Sequence, residues 1–389
     1  MGKYIVLRGA PPRSGGPALP PGVLTAEGAG ADMRIEVENV EPGDVAELSR
    51  DPTVRLLTPA MATRLIKPLA GQASAAGDAW GIAAVGADVS SCTGMGVTVA
   101  VLDTGIDASH PAFAGMTLDI NDFTSTGRHD GHGHGTHCAG TIFGRDVDGR
   151  RIGVARGVQH AFIGKVLDDQ GSGSSDMIFQ ALQWALRQRA NVISMSLGFD
   201  FPGSVQENVA RGSPIDLATS QALVDYRANL RMFDVLMAAF RAHNAFGAAP
   251  VVIAASGNES RRDIHSAYTV SASLPAAADG VIPVGAAYPM DVQKYAITVF
   301  SNTMVHLAAP GLDVLSAWPG GGLRALNGTS MACPHVAGVA ALWWQWATQN
   351  GQPLLSQAVS ARLTSSARPI FAPEFNASDF GFGLVTSPP

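Results

Sequence analysis

Charged residues and cysteines are both scarce in this sequence of 389 residues. Asp, Glu, Lys and Arg together make up 15% of the chain, whereas roughly 25% is usual for a soluble domain. The three cysteines, Cys92, Cys138 and Cys333, form an odd and sparse set, which argues against a scaffold held together by disulfides. No uncharged apolar run reaches the ~18 residues of a membrane-spanning helix.

The chain has no strong net charge, and its first residues do not have the pattern of a signal peptide. The chain carries 26 basic and 32 acidic residues, for a net charge of −6, which argues against nucleic acid or an anionic membrane as the main partner. The apolar stretch at residues 4–7 is too short for the core of a signal peptide, and no cleavage site follows it. We therefore expect a cytoplasmic protein, or a secreted one if a targeting segment was trimmed from its start.

The first part of the chain predicts a small α+β unit. Residues 3–8 and 33–38 have the pattern of strands, and the Pro-, Gly- and Ala-rich stretch at 10–31 between them has that of a loop. A short helix near 42–50 and a further strand from residue 54 follow. Small residues at 70–77 have the composition of a linker, so we predict domains at 1–70 and 71–389.

The second part predicts an α/β domain. Continuous apolar runs are typical of parallel strands buried on both faces, and they occur at 97–102, 161–167, 192–197, 251–255 and 281–284. Helical patterns such as residues 176–189 lie between some of these runs. This alternation predicts a three-layer fold, in which helices cover both faces of a parallel sheet.

Three segments carry residues that are suited to catalysis. Asp103 ends a predicted strand, where α/β sheets place ligands, although a turn Asp would look the same. Four histidines fall within residues 129–137, which suggests either a metal site, with spacings that match no zinc signature, or a catalytic imidazole at a helix start. Ser330 precedes an apolar helix, where it could equally be an ordinary N-cap.

Taken together, the three segments supply one chemical unit. A serine hydroxyl needs a base to remove its proton, and an imidazole base needs a carboxylate to hold its tautomer. Asp103, His134 and Ser330 provide these groups in the order Asp, His, Ser.

The motifs around these residues resemble those of the subtilisin-like serine proteases, the subtilases. The matching segments are residues 103–107 (DTGID), 134–140 (HGTHCAG) and 328–338 (GTSMACPHVAG), and the resemblance covers about residues 78–350. It implies a subtilisin-like fold and a serine endopeptidase in which Ser330 is the nucleophile, His134 the general base and then acid, and Asp103 the residue that orients His134.

The resemblance also implies an oxyanion donor and substrate-binding strands. Asn258 would donate its side-chain amide to the tetrahedral oxyanion, although a turn role is the alternative. The substrate would bind as an added, extended strand. The implied substrate-binding residues are Ser196, Leu197 and Gly198, then Gly171, Ser172 and Gly173, and finally Ala255, Ser256 and Gly257.

Some features depart from the family pattern. Ala112 stands where many subtilases have a calcium-binding Asp, so we expect no cofactor or metal, with a calcium site at Asp122, Asp146 and Asp148 as the alternative to plain loop acids. Residues 199–248 form an insertion with a helix at about 215–245, which either packs on the core or forms a wall or partner surface. The candidate apolar positions of this helix are Leu217, Leu223, Leu230, Phe233, Leu236, Met237 and Phe240. Ser273 and Pro275 are expected to narrow the specificity pocket, which favours small to medium apolar side chains.

Residues 1–66 resemble in position the propeptide that inhibits subtilases. We expect it to occupy the cleft and to be cut between about Leu65 and Asp78. The partners implied are therefore a polypeptide substrate and the chain's own prodomain, while the oligomeric state stays open. Two other functions remain: a transpeptidase or macrocyclase of the same family, and a non-catalytic binding protein, which the complete set of catalytic residues disfavours.

Overall fold

The structure is a computed structural model that describes residues 1–9, 33–41, 43–71, 79–243, 249–291 and 294–389. The loop predicted at 10–31 and most of the predicted linker lie outside the described residues. The strands, in chain order, are β1 (Gly2–Arg8), β2 (Arg34–Val40), β3 (Val54–Pro59), β4 (Ala62–Leu65), β5 (Leu69–Ala70), β6 (Thr98–Asp103), β7 (Thr117–Asp122), β8 (His160–Lys165), β9 (Ser172–Ser174), β10 (Val192–Met195), β11 (Leu197–Phe199), β12 (Val251–Ala255), β13 (Val281–Pro289), β14 (Tyr295–Ile297), β15 (Leu307–Pro310), β16 (Val314–Trp318) and β17 (Gly322–Asn327).

Helices lie between some of these strands and after the last one. They are α1 (Val45–Leu48), α2 (Trp80–Ala84), α3 (His134–Phe143), α4 (Ser175–Arg187), α5 (Phe201–Ala210), α6 (Ile215–His243), α7 (Thr329–Gln349), α8 (Ser356–Ser365) and α9 (Ala377–Phe380). None of the helices in the described part of the chain combines the length and apolarity needed to cross a bilayer.

The central sheet is mostly parallel. Its strand order is β14-β13-β12-β10-β6-β8-β7, and β15 pairs with β13. Only the pairing of β14 with β13 is antiparallel, while the other neighbours run in the same direction. The prediction of a parallel α/β sheet is confirmed.

Side chains of β6 alternate between two hydrophobic layers, as the period of a strand requires. Val99 and Val101 belong to the core that includes α3 and α7. Ala100 and Leu102 belong to the opposite core, which includes α4 and α6. Since both faces of the strand are covered, its sequence is a continuous apolar run rather than an alternating one.

The N-terminal residues form a separate antiparallel sheet, with the order β2-β1-β3. Its buried face, which includes Ile5 and Leu7, joins the core shared with α4 and α6. Asn229 on α6 donates its side-chain amide to the Pro59 carbonyl at 3.0 Å, and Lys3 lies 3.3 Å from Asp176 at the start of α4. These contacts fix the sheet against two helices of the larger domain.

The insertion contributes α5 and the long α6. Phe233 is fully buried and its ring centroid lies 4.5 Å from that of Phe179 on α4. Leu236, Met237 and Phe240 are buried as well, so the C-terminal half of α6 packs on the core as expected. The sequence interpretation was wrong for Leu217 and Leu223, which are exposed, because the first turns of α6 extend beyond the apolar surface they were expected to cover.

The parallel strands position the residues of interest. Asp103 is the last residue of β6, Ser196 follows β10, and Asn258 comes shortly after β12. Because β6, β10 and β12 are adjacent and run in the same direction, their carboxyl ends meet at one edge of the sheet, where ligands bind in open α/β folds.

Replacing Phe233 by alanine tests whether the insertion is part of the core. The substitution leaves a cavity beside Phe179, and we expect it to lower the free energy of unfolding by about 3–5 kcal/mol. Leu223→Ala is the control on the exposed side of the same helix, where we expect a change within about 0.5 kcal/mol. Urea unfolding of both variants measures the difference, and equal small effects would contradict an integral role for α6.

Candidate active site

Asp103 and His134 form a buried pair at the edge of the sheet. His134 is the first residue of α3, and its Nδ1 lies 2.8 Å from Asp103 Oδ1. Both side chains are fully buried. The carboxylate oxygen accepts the Nδ1–H, which leaves Nε2 as the basic nitrogen. Among the described residues, Nε2 has no hydrogen-bond partner.

A polar network around Asp130 holds the turn that carries His134. Asp130 Oδ1 accepts from the Thr104 hydroxyl at 2.8 Å and from the Gly133 N–H at 2.7 Å. Its Oδ2 accepts from the Thr136 N–H and hydroxyl. A Cβ at Gly135 would lie 2.2 Å from the Gly105 carbonyl oxygen, so only glycine lets α3 begin this close to the end of β6.

The other histidines near the site do not share this environment. Burial lowers the pKa of His137 to about 3 and that of His335 to about 4. Both rings therefore stay neutral at ordinary pH, and each hydrogen-bonds to backbone carbonyls. The metal-site interpretation of the histidine cluster gains no support, because the one potential ligand group in the described part of the chain consists of Asp103, His134 and Cys138.

Cys138 lies one turn after His134 on α3. Its Sγ is 3.7 Å from His134 Nδ1 and 3.4 Å from the Ser330 carbonyl oxygen. Burial, which is the largest effect, raises the pKa of the Cys138 thiol well above its usual value. The thiol is thus neutral, which makes it a poor nucleophile.

Ser330 is the second residue of α7, close to the positive end of the helix dipole. Its carbonyl accepts from the Ser196 hydroxyl at 3.1 Å. This contact joins the start of α7 to the end of β10, on the side of the sheet where Asp103 lies. Ser330 is fully buried because another segment of the chain covers it.

Asn258 is oriented by the residue next to Ser330. Its Oδ1 accepts from the backbone N–H and from the hydroxyl of Thr329, both at 2.9 Å. Since Thr329 fixes the oxygen end of the amide, Nδ2 must point the other way, where it donates to the Lys67 carbonyl at 3.1 Å.

The residues before Asn258 are held in the same way. Ala255 is the buried last residue of β12. The Gly257 N–H donates to the Thr329 hydroxyl at 3.2 Å, and the Ser256 carbonyl accepts from the Asn302 amide at 3.2 Å. Asn302 also accepts from the backbone N–H groups of Glu259 and Ser260. The loop that presents Asn258 is therefore rigid.

The segment that covers Ser330 belongs to the chain's own N-terminal region. Strand β4 lies between β9 and β11 and is antiparallel to both. On one side Leu65 pairs with Leu197 and Arg64 with Gly198. On the other side Thr63 pairs with Gly173 and Arg64 with Ser172. Two of the three segments that the sequence assigned to substrate binding, residues 196–198 and 171–173, thus flank an extended peptide.

Two glycines make room for this peptide. Gly171 has a φ of +76°, and a Cβ there would lie 2.9 Å from Leu65 Cβ. Its carbonyl accepts from the Leu65 N–H at 2.8 Å. At Gly198 a Cβ would lie 3.5 Å from both Ile66 Cγ1 and Ser273 Oγ. The Ile66 side chain is buried, and the predicted role of Ser273 in a specificity pocket stays a prediction.

Ser330 and Asn258 contact different carbonyls of the bound peptide. Ser330 Oγ donates to the Ile66 carbonyl oxygen at 3.3 Å, whereas Asn258 donates to the carbonyl of Lys67, the next residue. Beyond this point, β5 pairs with β17. Residues 62–70 therefore pass through the whole site as one segment, which we call the tail.

The residues considered for calcium bind other groups. Ala112 is buried and offers no side-chain oxygen. Asp122 accepts from Thr124 and from the Gly127 N–H, and Asp146 pairs with Arg156 at 3.1 Å. Asp122 and Asp146 thus each have partners of their own, and the calcium alternative, for which several oxygen ligands must converge, stays a prediction.

Sequence reasoning missed several residues of the site. Thr329 and Thr104 lie inside the motifs described above, and their hydroxyl groups could have indicated that they hydrogen-bond to the residues of the site. Asp130 lies within the histidine-rich segment, but the sequence pattern predicted no role for it. Asp200, which lies 2.7 Å from Arg64 of the tail, gave no signal at all, because nothing in the sequence relates positions so far apart.

Known proteins resemble this chain over most of its length. The sequence model of the subtilase family matches residues 94–384. Proteinase R of Parengyodontium album is 35% identical over 257 residues, which are 64% of this chain and 53% of that protein. The intracellular serine protease of Paenibacillus polymyxa is 36% identical over 264 residues, which are 66% of this chain and 69% of that protein.

The major intracellular serine protease of Bacillus subtilis (strain 168) is 32% identical over 304 residues, which are 76% of this chain and 83% of that protein. This chain spans about half the length of proteinase R but a larger share of the two bacterial proteins. The family match, these relatives and the parallel sheet lead to one conclusion: the chain belongs to the subtilase family.

Proposed function

We propose that this protein is a serine endopeptidase that hydrolyses extended polypeptides. The observation that carries the proposal is the placement of Ser330 Oγ on a peptide carbonyl, 3.3 Å from its oxygen, beside a buried Asp103–His134 pair. An alcohol, an imidazole, a carboxylate and a strand-binding cleft are the parts that acyl transfer from a peptide requires.

In the proposed mechanism, His134 Nε2 takes the proton of Ser330 as the hydroxyl attacks the scissile carbonyl. Asp103 holds the Nδ1–H tautomer and stabilises the imidazolium that forms. His134 then gives the proton to the leaving amine. Water, activated by the same nitrogen, hydrolyses the acyl-enzyme and restores Ser330.

The negative charge of the tetrahedral intermediate would be held by Asn258 Nδ2 and the Ser330 backbone N–H. Thr329 supports this role, because it prevents the amide of Asn258 from turning its oxygen toward the cleft. Preorganised donors of this kind typically contribute about 10²–10³-fold to kcat. No cofactor takes part in these steps.

The substrate would replace the tail as the central strand between β9 and β11. The contact of Ile66 with Gly198 and the nearby Ser273 supports a pocket for small to medium apolar side chains before the cleaved bond. A cleft that pairs with backbone on both sides requires an extended or locally unfolded substrate.

The tail would keep the enzyme latent. A productive complex needs one carbonyl whose carbon faces Ser330 and whose oxygen faces Asn258. In the tail these contacts fall on successive residues, Ile66 and Lys67, which supports inhibition by a poorly placed peptide. The N-terminal sheet, docked on α4 and α6, holds the tail there. Release then requires a cut, which we place between about Leu65 and Asp78.

We also propose an intracellular location. Two of the relatives are named intracellular serine proteases, and all three cysteines are free and buried. Free thiols are usual in reducing compartments.

Ser330→Ala tests the reaction itself. Once the tail has been cut, we expect the protein to cleave an unfolded polypeptide and the Ser330→Ala variant, cut in the same way by an added protease, to lose about 10⁶-fold in kcat, since the nucleophile of a triad is removed. Mass spectrometry of the products separates the alternatives: hydrolysis adds one water per cut, whereas transpeptidation joins fragments without it. Wild-type and variant proteins that are equally inactive on every substrate would leave the binding-protein interpretation in place.

Ile66→Lys tests the inhibitory role of the tail. Burying an isoleucine contributes about 1.5–3 kcal/mol, so a charged side chain there should raise the basal rate of the full chain on a small peptide about tenfold or more. Ile66→Val, which keeps a β-branched apolar side chain, is the matched control and should stay latent. Equal rates for wild type, Ile66→Lys and Ile66→Val in uncut protein would contradict inhibition by the tail.

A further inference from the structure

An ion pair joins the tail to Asp200, which lies near the start of the insertion. Arg64 Nε lies 2.7 Å from Asp200 Oδ2. The Arg64 side chain is 60% exposed, whereas that of Asp200 is 14% exposed. The carboxylate is thus part of the wall of the cleft, and the arginine reaches it from the outer side of the bound peptide.

Asp200 is held in place independently of Arg64. Its Oδ1 accepts from the Gly203 N–H at 3.1 Å and so caps the N-terminus of α5. Its carbonyl accepts from the Ser204 N–H at 3.0 Å. Because one carboxylate oxygen is occupied by the helix, the other is free to receive a donor from the cleft.

The backbone of Asp200 also hydrogen-bonds to the backbone of the peptide in the cleft. Its N–H donates to the Ala62 carbonyl at 3.2 Å, which continues the pairing of β4 with β11 by one residue. A substrate strand bound by the same main-chain groups would follow the same register. The residue opposite Gly198 would then lie beside the Asp200 carboxylate, whatever its side chain.

The position of Arg64 relative to the reacting centre is set by Ile66. The Ile66 carbonyl meets Ser330, and its side chain lies at Gly198. Arg64 is therefore the third residue counted back from the bond after Ile66. Its neighbours Thr63 and Leu65 are buried, so the alternation of a strand turns the Arg64 side chain outward, toward Asp200.

We propose that Asp200 is a specificity-determining residue that selects a basic side chain, above all arginine, at the third position before the cleaved bond. This inference rests on the proposed endopeptidase function. In the latent chain Arg64 of the tail occupies the site, and in a substrate an arginine at the same position replaces it. An ordered carboxylate that accepts a guanidinium N–H makes a charge-assisted hydrogen bond, which a neutral side chain cannot match.

Chromogenic tetrapeptides with the sequence of the tail test this selectivity. The substrates are Thr-Arg-Leu-Ile-p-nitroanilide and its versions with citrulline or Glu in place of Arg. Citrulline matches arginine in shape and lacks its charge. The enzyme is the full chain with Arg64→Ala and Ile66→Lys, which removes the competing guanidinium and weakens binding of the tail, compared with the same chain that also carries Asp200→Asn. Asparagine is as good an N-cap as aspartate, so α5 keeps its cap.

With Asp200 present, we expect kcat/KM for the Arg peptide to exceed that for the citrulline peptide about three- to fivefold, as for a partly exposed charged pair. The Glu peptide should be the poorest substrate. In the Asp200→Asn background the ratio of kcat/KM for the Arg peptide to that for the citrulline peptide should fall to about one. Raising the salt concentration should reduce the preference for Arg, because an exposed pair is screened.

Other outcomes overturn the inference. If Asp200→Asn lowers kcat/KM for all three peptides by the same factor, Asp200 acts by shaping the loop and does not recognise the side chain at the third position. If Arg and citrulline peptides are cut equally with Asp200 present, the site is not selective. The absence of any Ser330-dependent cleavage would instead contradict the proposed function, which keeps the two failures apart.

Discussion

The hydrogen bond between Asp103 and His134 forms because the end of strand β6 lies close to the start of helix α3. A carboxylate at the carboxyl end of β6 meets an imidazole on the first residue of α3, and both are out of contact with water. In such surroundings an unpaired charge would be costly, so the pair must be held in register. Gly135 allows the close approach, and Asp130 fixes the turn through both of its oxygens.

The tail fits the cleft because the strands on either side of it pair with an extended main chain. Strands β9 and β11 leave their inner main-chain groups open to an extended peptide, and β4 uses them. Backbone pairing does not discriminate between sequences, so selectivity must come from side chains at the rim and in the pocket. Gly198 lies close to both Ile66 and Ser273. Asp200 supplies a charge at the rim, and α5 keeps it in place.

Much of the architecture could be predicted from local sequence. Continuous apolar runs identified the strands of the central sheet because parallel strands are buried on both faces. Asp103, His134 and Ser330 lie at the end of a strand and at the starts of two helices, as their motifs indicated. The roles of these residues, of Asn258 and of the domain boundary near residue 70 stay predictions.

The remaining features depend on contacts between distant parts of the chain. The pairing of Arg64 with Asp200 joins residues from two folding units, and no local pattern reports it. The orientation of Asn258 by Thr329 needs the loop after β12 to meet the start of α7. Leu217 and Leu223 were predicted as apolar core positions of the helix, but both are exposed. Helical periodicity alone does not indicate where along a helix the contact with the core ends.

Labelling by a fluorophosphonate probe tests the central claim most directly, because such probes react with a serine only when it is activated as a nucleophile. The account predicts that Ser330 is modified, as located by mass spectrometry of the digested protein, slowly while the tail fills the cleft and faster once it is displaced. Ser330 that stays unlabelled after the tail has been removed from the cleft would contradict the account.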